Sequence, residues 1–151
     1  MLKKTLLTTL ALAVTIATTM AADLEWKTDM TKALAEAKAQ KKAVLINFTG
    51  SDWCGFCIKL DKEVFATETF QEYAKENLVL VKADFPRRLE LSAEQKKANE
   101  ALKAQYAKQF QGYPTIVLVH ADGKKAGELV GYGPGTGPDK YLKDVQGKLK
   151  N

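Results

Sequence analysis

The chain has 151 residues, the length of one domain, and a formal net charge of +5. Its lysines and acids are interspersed and its basic clusters, such as Arg87-Arg88, are short. That distribution argues against a nucleic-acid partner, which would need a concentrated basic stripe.

Lys3 and Lys4 precede a charge-free apolar and threonine-rich run over residues 6–19, and the small residues Thr19, Ala21 and Ala22 close it. This layout predicts a secretory signal peptide over residues 1–22, followed by one domain over residues 23–151. The apolar run is shorter than the ~20 residues of a membrane-spanning helix, and no cysteine near the cleavage point offers a lipid attachment. Cleavage after Ala22 leaves 129 residues and lowers the formal charge to +3. A chain of that size builds one core without disulfide staples. The expected product is exported to the periplasm or outside the cell, monomeric, and free of the membrane once cleaved.

Asp29 predicts the cap of a helix reaching Gln40, with Met30, Ala33, Leu34 and Ala37 on one face. The run from Ala43 to Thr49 is nearly all apolar or β-branched and reads as a strand covered on both faces. Gly50-Ser51-Asp52 turns the chain, and a helix from Cys54 continues past Val64. Thr67 caps a second helical piece to Glu76. Residues 78–85 form another buried-type strand, stopped by Pro86. Two such strands with a helical crossover make a right-handed βαβ unit. Ser92-Ala93-Glu94-Gln95 fits a capping box and opens a helix to Gln109, with Ala98, Leu102, Tyr106 and Phe110 as its stripe. After Gly112-Tyr113-Pro114, residues 115–120 and 125–132 form a hairpin about Asp122-Gly123. A glycine-rich loop leads to a closing helix from Asp139, with Tyr141, Leu142, Val145 and Leu149 inward. The order predicts an α/β fold with a mixed central sheet and helices on both faces.

The only two cysteines are Cys54 and Cys57, in Trp53-Cys54-Gly55-Phe56-Cys57. A bridge that closes so small a loop restricts the unfolded chain little, so its value is not that of a staple. At the start of a helix after a buried strand, the first sulfur meets unpaired N–H groups that favour the thiolate. The second sulfur, one turn on, is in reach to resolve a mixed disulfide. Cys54 is therefore the expected exposed nucleophile and Cys57 the more buried resolving thiol, with Trp53 as an apolar platform for substrate. The alternatives are an inert disulfide in a binding or chaperone module, a structural zinc site, and a soft-metal site for an ion such as Cu(I). A zinc site wants four ligands, and the single histidine, His120, lies at a distant strand end. No metal and no cofactor are expected.

Together, the strand from Ala43 to Thr49, the Trp53–Cys57 motif and Tyr113-Pro114-Thr115 resemble the thioredoxin superfamily. The chain is similar above all to exported thioredoxin-like domains related to periplasmic thiol:disulfide interchange proteins. Residues 59–65, Lys-Leu-Asp-Lys-Glu-Val-Phe, also resemble that group, whose active-site helix breaks early. The resemblance implies a thioredoxin fold and exchange with protein thiols and disulfides, including those of a redox partner. It also implies a cis Pro114 facing the cysteines, with the main chain of Tyr113 offered to an extended substrate.

Three features depart from the family's pattern. The buried aspartate that helps move a proton from the resolving thiol is replaced by Asn47, which leaves water, Lys82 or Asp52 for that task. The dipeptide Gly55-Phe56 matches neither the Gly-Pro of reducing thioredoxins nor the histidine-bearing pairs of oxidases and isomerases. The stretch over residues 86–111 is longer than in a minimal thioredoxin, and its Arg87 and Arg88 read as a solvated loop. Tyr132 and the glycine loop are candidates for the border of the active-site face. The residues predict the chemistry and leave its direction open.

Overall fold

A computed structural model describes residues 24–150, so the expected signal peptide lies outside the described residues. In chain order the elements are β1 (Trp26–Lys27), α1 (Met30–Gln40), β2 (Ala43–Thr49) and α2 (Gly55–Leu60). A π-helical turn (Asp61–Phe65), α3 (Glu68–Asn77), β3 (Leu78–Asp84) and α4 (Ala93–Tyr106) follow. The chain ends in β4 (Thr115–Val119), β5 (Lys125–Val130) and α5 (Gly137–Leu149). The strands form one mixed sheet in the order β1-β3-β2-β4-β5, with β1, β3 and β2 parallel and β4 and β5 antiparallel to their neighbours. This is the thioredoxin fold, as expected. No helix among the described residues is long and apolar enough to cross a membrane.

Period-two alternation in β2 and β3 builds two cores from the same strands. Val44, Ile46, Phe48, Val79, Val81 and Ala83 pack with Ala33 and Ala37 of α1 and Leu102 and Tyr106 of α4. Leu45, Leu78 and Leu80 pack on the other face with Leu60, Val64, Phe70, Tyr141 and Val145 from the helices opposite. The predicted caps form: Asp29, Thr67 and Ser92 accept from the amides of Lys32, Phe70 and Gln95. Lys41 ends α1 in the left-handed region at φ 56°.

Several local expectations change. The strand β1 was not expected, because two residues give no period to read; it is defined by pairing Trp26 with Leu80 and Lys27 with Val81. In α4 the buried residues are Asn99, Leu102 and Tyr106, while the expected Ala98 is exposed. The Asn99 amide donates to the Asp84 carbonyl at 2.7 Å and its oxygen accepts from Gln95, so hydrogen bonding makes a polar residue the inward one. Gln95 is also drawn to the Thr28 carbonyl, so only the serine half of the capping box forms. The helix after Cys54 changes character at Asp61, where the Ala66 amide reaches back five residues to the Asp61 carbonyl at 2.8 Å. One extra residue in that turn ends the helix early, as the resemblance implied, and such π-bulges occur often at functional sites.

Candidate active site

The motif sits where β2 ends. The amides of Trp53 and Cys54 both donate to the Gly50 carbonyl, at 3.2 and 2.9 Å, folding the turn that starts α2. Cys54 is the N-cap of α2, and its Sγ accepts the Cys57 amide at 3.2 Å. That N–H is an otherwise unpaired donor of the first turn, the type of group that favours a thiolate. The two sulfurs are joined as a disulfide with Cα atoms 5.2 Å apart. Contrary to the expectation of an exposed Cys54, both cysteines are buried, Cys54 at 6% and Cys57 at 2% exposed, because the bridge and the turn fold over them.

Trp53 is clamped from several sides. Its Nε1 donates to the Phe85 carbonyl at 2.8 Å, its ring meets Tyr113 edge-on at 5.5 Å, and the Arg87 guanidinium lies 3.7 Å over it. Gly50 is required beneath the indole, since a Cβ there would stand 2.5 Å from the ring. The Tyr113-Pro114 bond is cis and Pro114 is buried, immediately before β4, whose Thr115 pairs with Phe48 near the end of β2. The Pro114 carbonyl is taken by the Gly131 amide at 2.8 Å, whereas no main-chain hydrogen bond of Tyr113 occurs among the described residues. Trp53, adjacent to Cys54, thus meets Tyr113, and Pro114 follows directly across the cis bond.

Asp52 faces the loop after β3. Its two oxygens accept the amides of Arg87, Arg88 and Leu89 at 2.9, 2.7 and 2.9 Å. Those bonds, Arg87's first, hold its carboxyl below the ordinary aspartate range. Lys82 is the register partner of Asn47, and its ammonium lies 5.7 Å from the Trp26 ring.

The alternation that buries Leu45 and Leu80 under α2 places Asn47, Thr49, Lys82 and Asp84 on the same face. The side-chain oxygens of Asn47 and Thr49 are buried there without a partner. A carboxyl that sequence reading overlooked completes the group. Asp61 lies four residues after Cys57, on the same helix face, and its amide donates to the Cys57 carbonyl. Burial raises its pKa against the attraction of Lys82, with Asp84 adding to the rise. The i, i+4 spacing from Cys57 was the available signal.

Glu63, also overlooked, ties the π-helical turn to the glycine loop. It accepts the Tyr132 hydroxyl at 2.7 Å and the Gly135 amide at 3.0 Å, and these donors, Gly135 first, keep its carboxyl below its usual range. His120 lies in the β4–β5 turn, beyond the Val119–Val44 pair and so at the opposite end of the sheet from Cys54. No cluster of three or more His, Cys, Asp or Glu side chains suited to a metal ion occurs among the described residues.

A family model described as a thioredoxin-like domain matches residues 30–146. The disulfide bond reductase DsbH of Chlamydia pneumoniae is 36% identical over 130 residues, covering 86% of this chain and 75% of that protein. The thioredoxin-related protein DsbJ of the same organism is 26% identical over 137 residues; this chain spans only 39% of its length. A solved structure of a DsbH oxidoreductase superposes with a TM-score of 0.77 at 34% identity, covering 95% of each chain. With its Cys-x-x-Cys pair bridged at the head of α2, the chain belongs to the thioredoxin-like family and is a DsbH-like thiol–disulfide oxidoreductase.

Proposed function

We propose that the chain runs in the reducing direction, as a monomeric, exported reductase of protein disulfides. The observation that carries this reading is the poverty of donors at Cys54. Among the described residues its Sγ accepts one hydrogen bond, from the Cys57 amide, and Gly55-Phe56 adds no polar side chain. Strong oxidants of this chemistry owe their potential to a stabilised reduced form. A thiolate with little help favours the disulfide and makes the dithiol a good electron donor. The likeness to a protein named as a disulfide bond reductase supports the same direction.

In the first step the Cys54 thiolate attacks one sulfur of a partner's disulfide, forming a mixed disulfide and releasing the partner's other sulfur as thiolate. Cys57 then gives up its proton and attacks Cys54 Sγ. The Cys54–Cys57 bond forms, and the second partner sulfur leaves as a thiolate that takes up a proton. Two electrons pass to the partner, and a dithiol donor protein returns them by the reverse exchange. No cofactor enters, because the electrons travel through sulfur.

Trp53, Tyr113 and Pro114 shape the surface on which the substrate lies, the main chain of Tyr113 being free to pair with it. Asp61 is the group we assign to receive the Cys57 proton, with Lys82 as the nearby charge that favours its ionised form. Asp52, occupied by three amides, serves as a loop anchor. Residues 1–22 direct export, and amino-terminal sequencing of protein recovered outside the cytoplasm should begin near Asp23.

Equilibration of the pair in dithiol buffers decides the direction. A potential close to about −270 mV is expected, and one close to about −120 mV would sink the reductase reading. Cys54→Ser should abolish reduction of protein disulfides, and Cys57→Ser should accumulate the mixed disulfide.

A further inference from the structure

Four large apolar side chains are exposed among the described residues: Phe56, Ile58, Leu89 and Val130. Two of them lie on the active-site helix, and a third lies in the loop tied to the active-site turn. Phe56, 54% exposed, and Ile58, 47% exposed, flank the buried Cys57 on opposite sides of α2. Leu89, 59% exposed, belongs to the loop after β3. That loop is folded against the active-site turn, because Asp52 holds three successive amides with both carboxylate oxygens. The amides of residues 87–89 therefore face the site, and their side chains stand in solvent around it.

Charge on this rim is sorted. Lys59, Lys62, Arg87 and Arg88 are exposed and have no carboxylate within ion-pair distance among the described residues. Arg87 instead lies over the Trp53 ring, which holds its planar group next to Cys54 with donors still free. Three nearby acids have their oxygens turned inward, Asp52 to the loop amides, Glu63 to Tyr132 and Gly135, and Asp84 to Ser51, while the exposed Glu90 is paired with Lys96. What faces a partner is apolar surface edged with unpaired cations.

From this we propose that the rim formed by Phe56 and residues 87–89 selects polypeptides whose reactive cystine is flanked by an apolar residue and, a few residues away, by Asp or Glu. The apolar neighbour covers Phe56, removing its surface from water. The carboxylate meets the fork of Arg87 or Arg88, where a planar donor pair suits it. The inference rests on the reading of Cys54–Cys57 as a reductant of protein disulfides, and it adds which disulfides are preferred.

The test uses reduced protein and three cystine peptides of one sequence, differing only in whether the flanking residues are Glu, Gln or Lys. The readout is the ratio of second-order reduction rates, Glu peptide over Lys peptide, which cancels any general loss of activity. A ratio of about 10 is expected at low salt, falling toward unity as salt screens the rim. In the double variant Arg87→Gln, Arg88→Gln the ratio should fall by several-fold whatever the absolute rates. Equal rates for the three peptides, a preference for Lys, or a ratio that the double variant leaves intact would each overturn the proposal. Cys54→Ser retaining reduction of all three peptides would instead refute the underlying reading, so the two failures are distinguishable.

Discussion

The two faces of β2 and β3 are built from alternate residues of the same strands, yet they obey different rules. Toward α1 and α4 every residue is hydrocarbon: Val44, Ile46 and Phe48 on β2, Val79, Val81 and Ala83 on β3. Toward α2 and α5 the strands begin alike, with Leu45, Leu78 and Leu80, and then turn polar at Asn47, Thr49, Lys82 and Asp84. The change falls at the end of the sheet that carries Cys54 and Cys57. Both orphaned oxygens of these strands, on Asn47 and Thr49, lie on that face. Each such group costs about 1–3 kcal/mol when buried without a partner. A face that serves only as core does not hold them; a face beneath a thiol that must lose a proton does. Both faces thus carry a core, and only the one toward α2 gives way to polar groups at the end where the cysteines lie.

The largest effect should come from breaking the apolar face. Ile46 is fully buried there, and Ile46→Ala should cost about 2–5 kcal/mol in urea unfolding. The reduction potential of the folded variant should match that of the parent. A shifted potential would show that the two faces are not separate in function. Next comes Gly50→Ala at the boundary between strand and motif. Its new Cβ meets the Trp53 ring at 2.5–2.7 Å, and the indole, pinned by Phe85, cannot swing aside freely. Overpacking of this kind costs about 1–3 kcal/mol. Displacement of the turn should also slow protein-disulfide reduction by up to about 100-fold. Unchanged kinetics would mean that Trp53 does not set the position of Cys54.

How far the sequence reveals this division depends on whether the signal is local. Buried strands read clearly from runs such as Ala43 to Thr49, and the caps at Asp29, Thr67 and Ser92 from single residues with one hydrogen bond to make. The cysteine pair is legible because strand, turn and helix start surround it within a few residues. What was not legible is decided across the chain. The strand β1 exists only through its pairing with β3. Asn99 is inward because Asp84 offers a carbonyl fifteen residues away in sequence. The three amides that occupy Asp52 lie 35 to 37 residues further on, so its role as a loop anchor has no local mark. The stacking of Arg87 on Trp53 follows from that same anchor.

Asn47→Leu tests the polar face with the opposite sign from Ile46→Ala. It removes a buried oxygen that has no partner and keeps the branching and the number of side-chain heavy atoms, so stability should rise by about 1 kcal/mol. The attack of Cys57 on the mixed disulfide should slow as its surroundings become apolar. A loss of stability would mean that the Asn47 amide contributes more than its oxygen costs.

The smallest shift, and the most diagnostic, concerns Asp61. Burial raises its pKa above the ordinary 3.8, so the native state binds the proton more tightly than the unfolded chain does. The stabilisation this provides is complete below the unfolded value and is lost as pH rises through the folded one. At neutral pH the ionised carboxylate therefore weighs against the fold. Asp61→Asn should resist urea better than the parent at pH 7, with the advantage shrinking to nothing as pH falls below about 4. The same substitution removes the proton acceptor, so resolution of the mixed disulfide should slow and lose the acid limb of its pH–rate profile. If the gain in stability persists unchanged at low pH, burial is not what raises this carboxyl. If the pH–rate profile overlays that of the parent, Cys57 delivers its proton elsewhere. Stability gained and rate lost together at neutral pH would identify Asp61 as a group kept at the expense of the fold for the second half of the exchange.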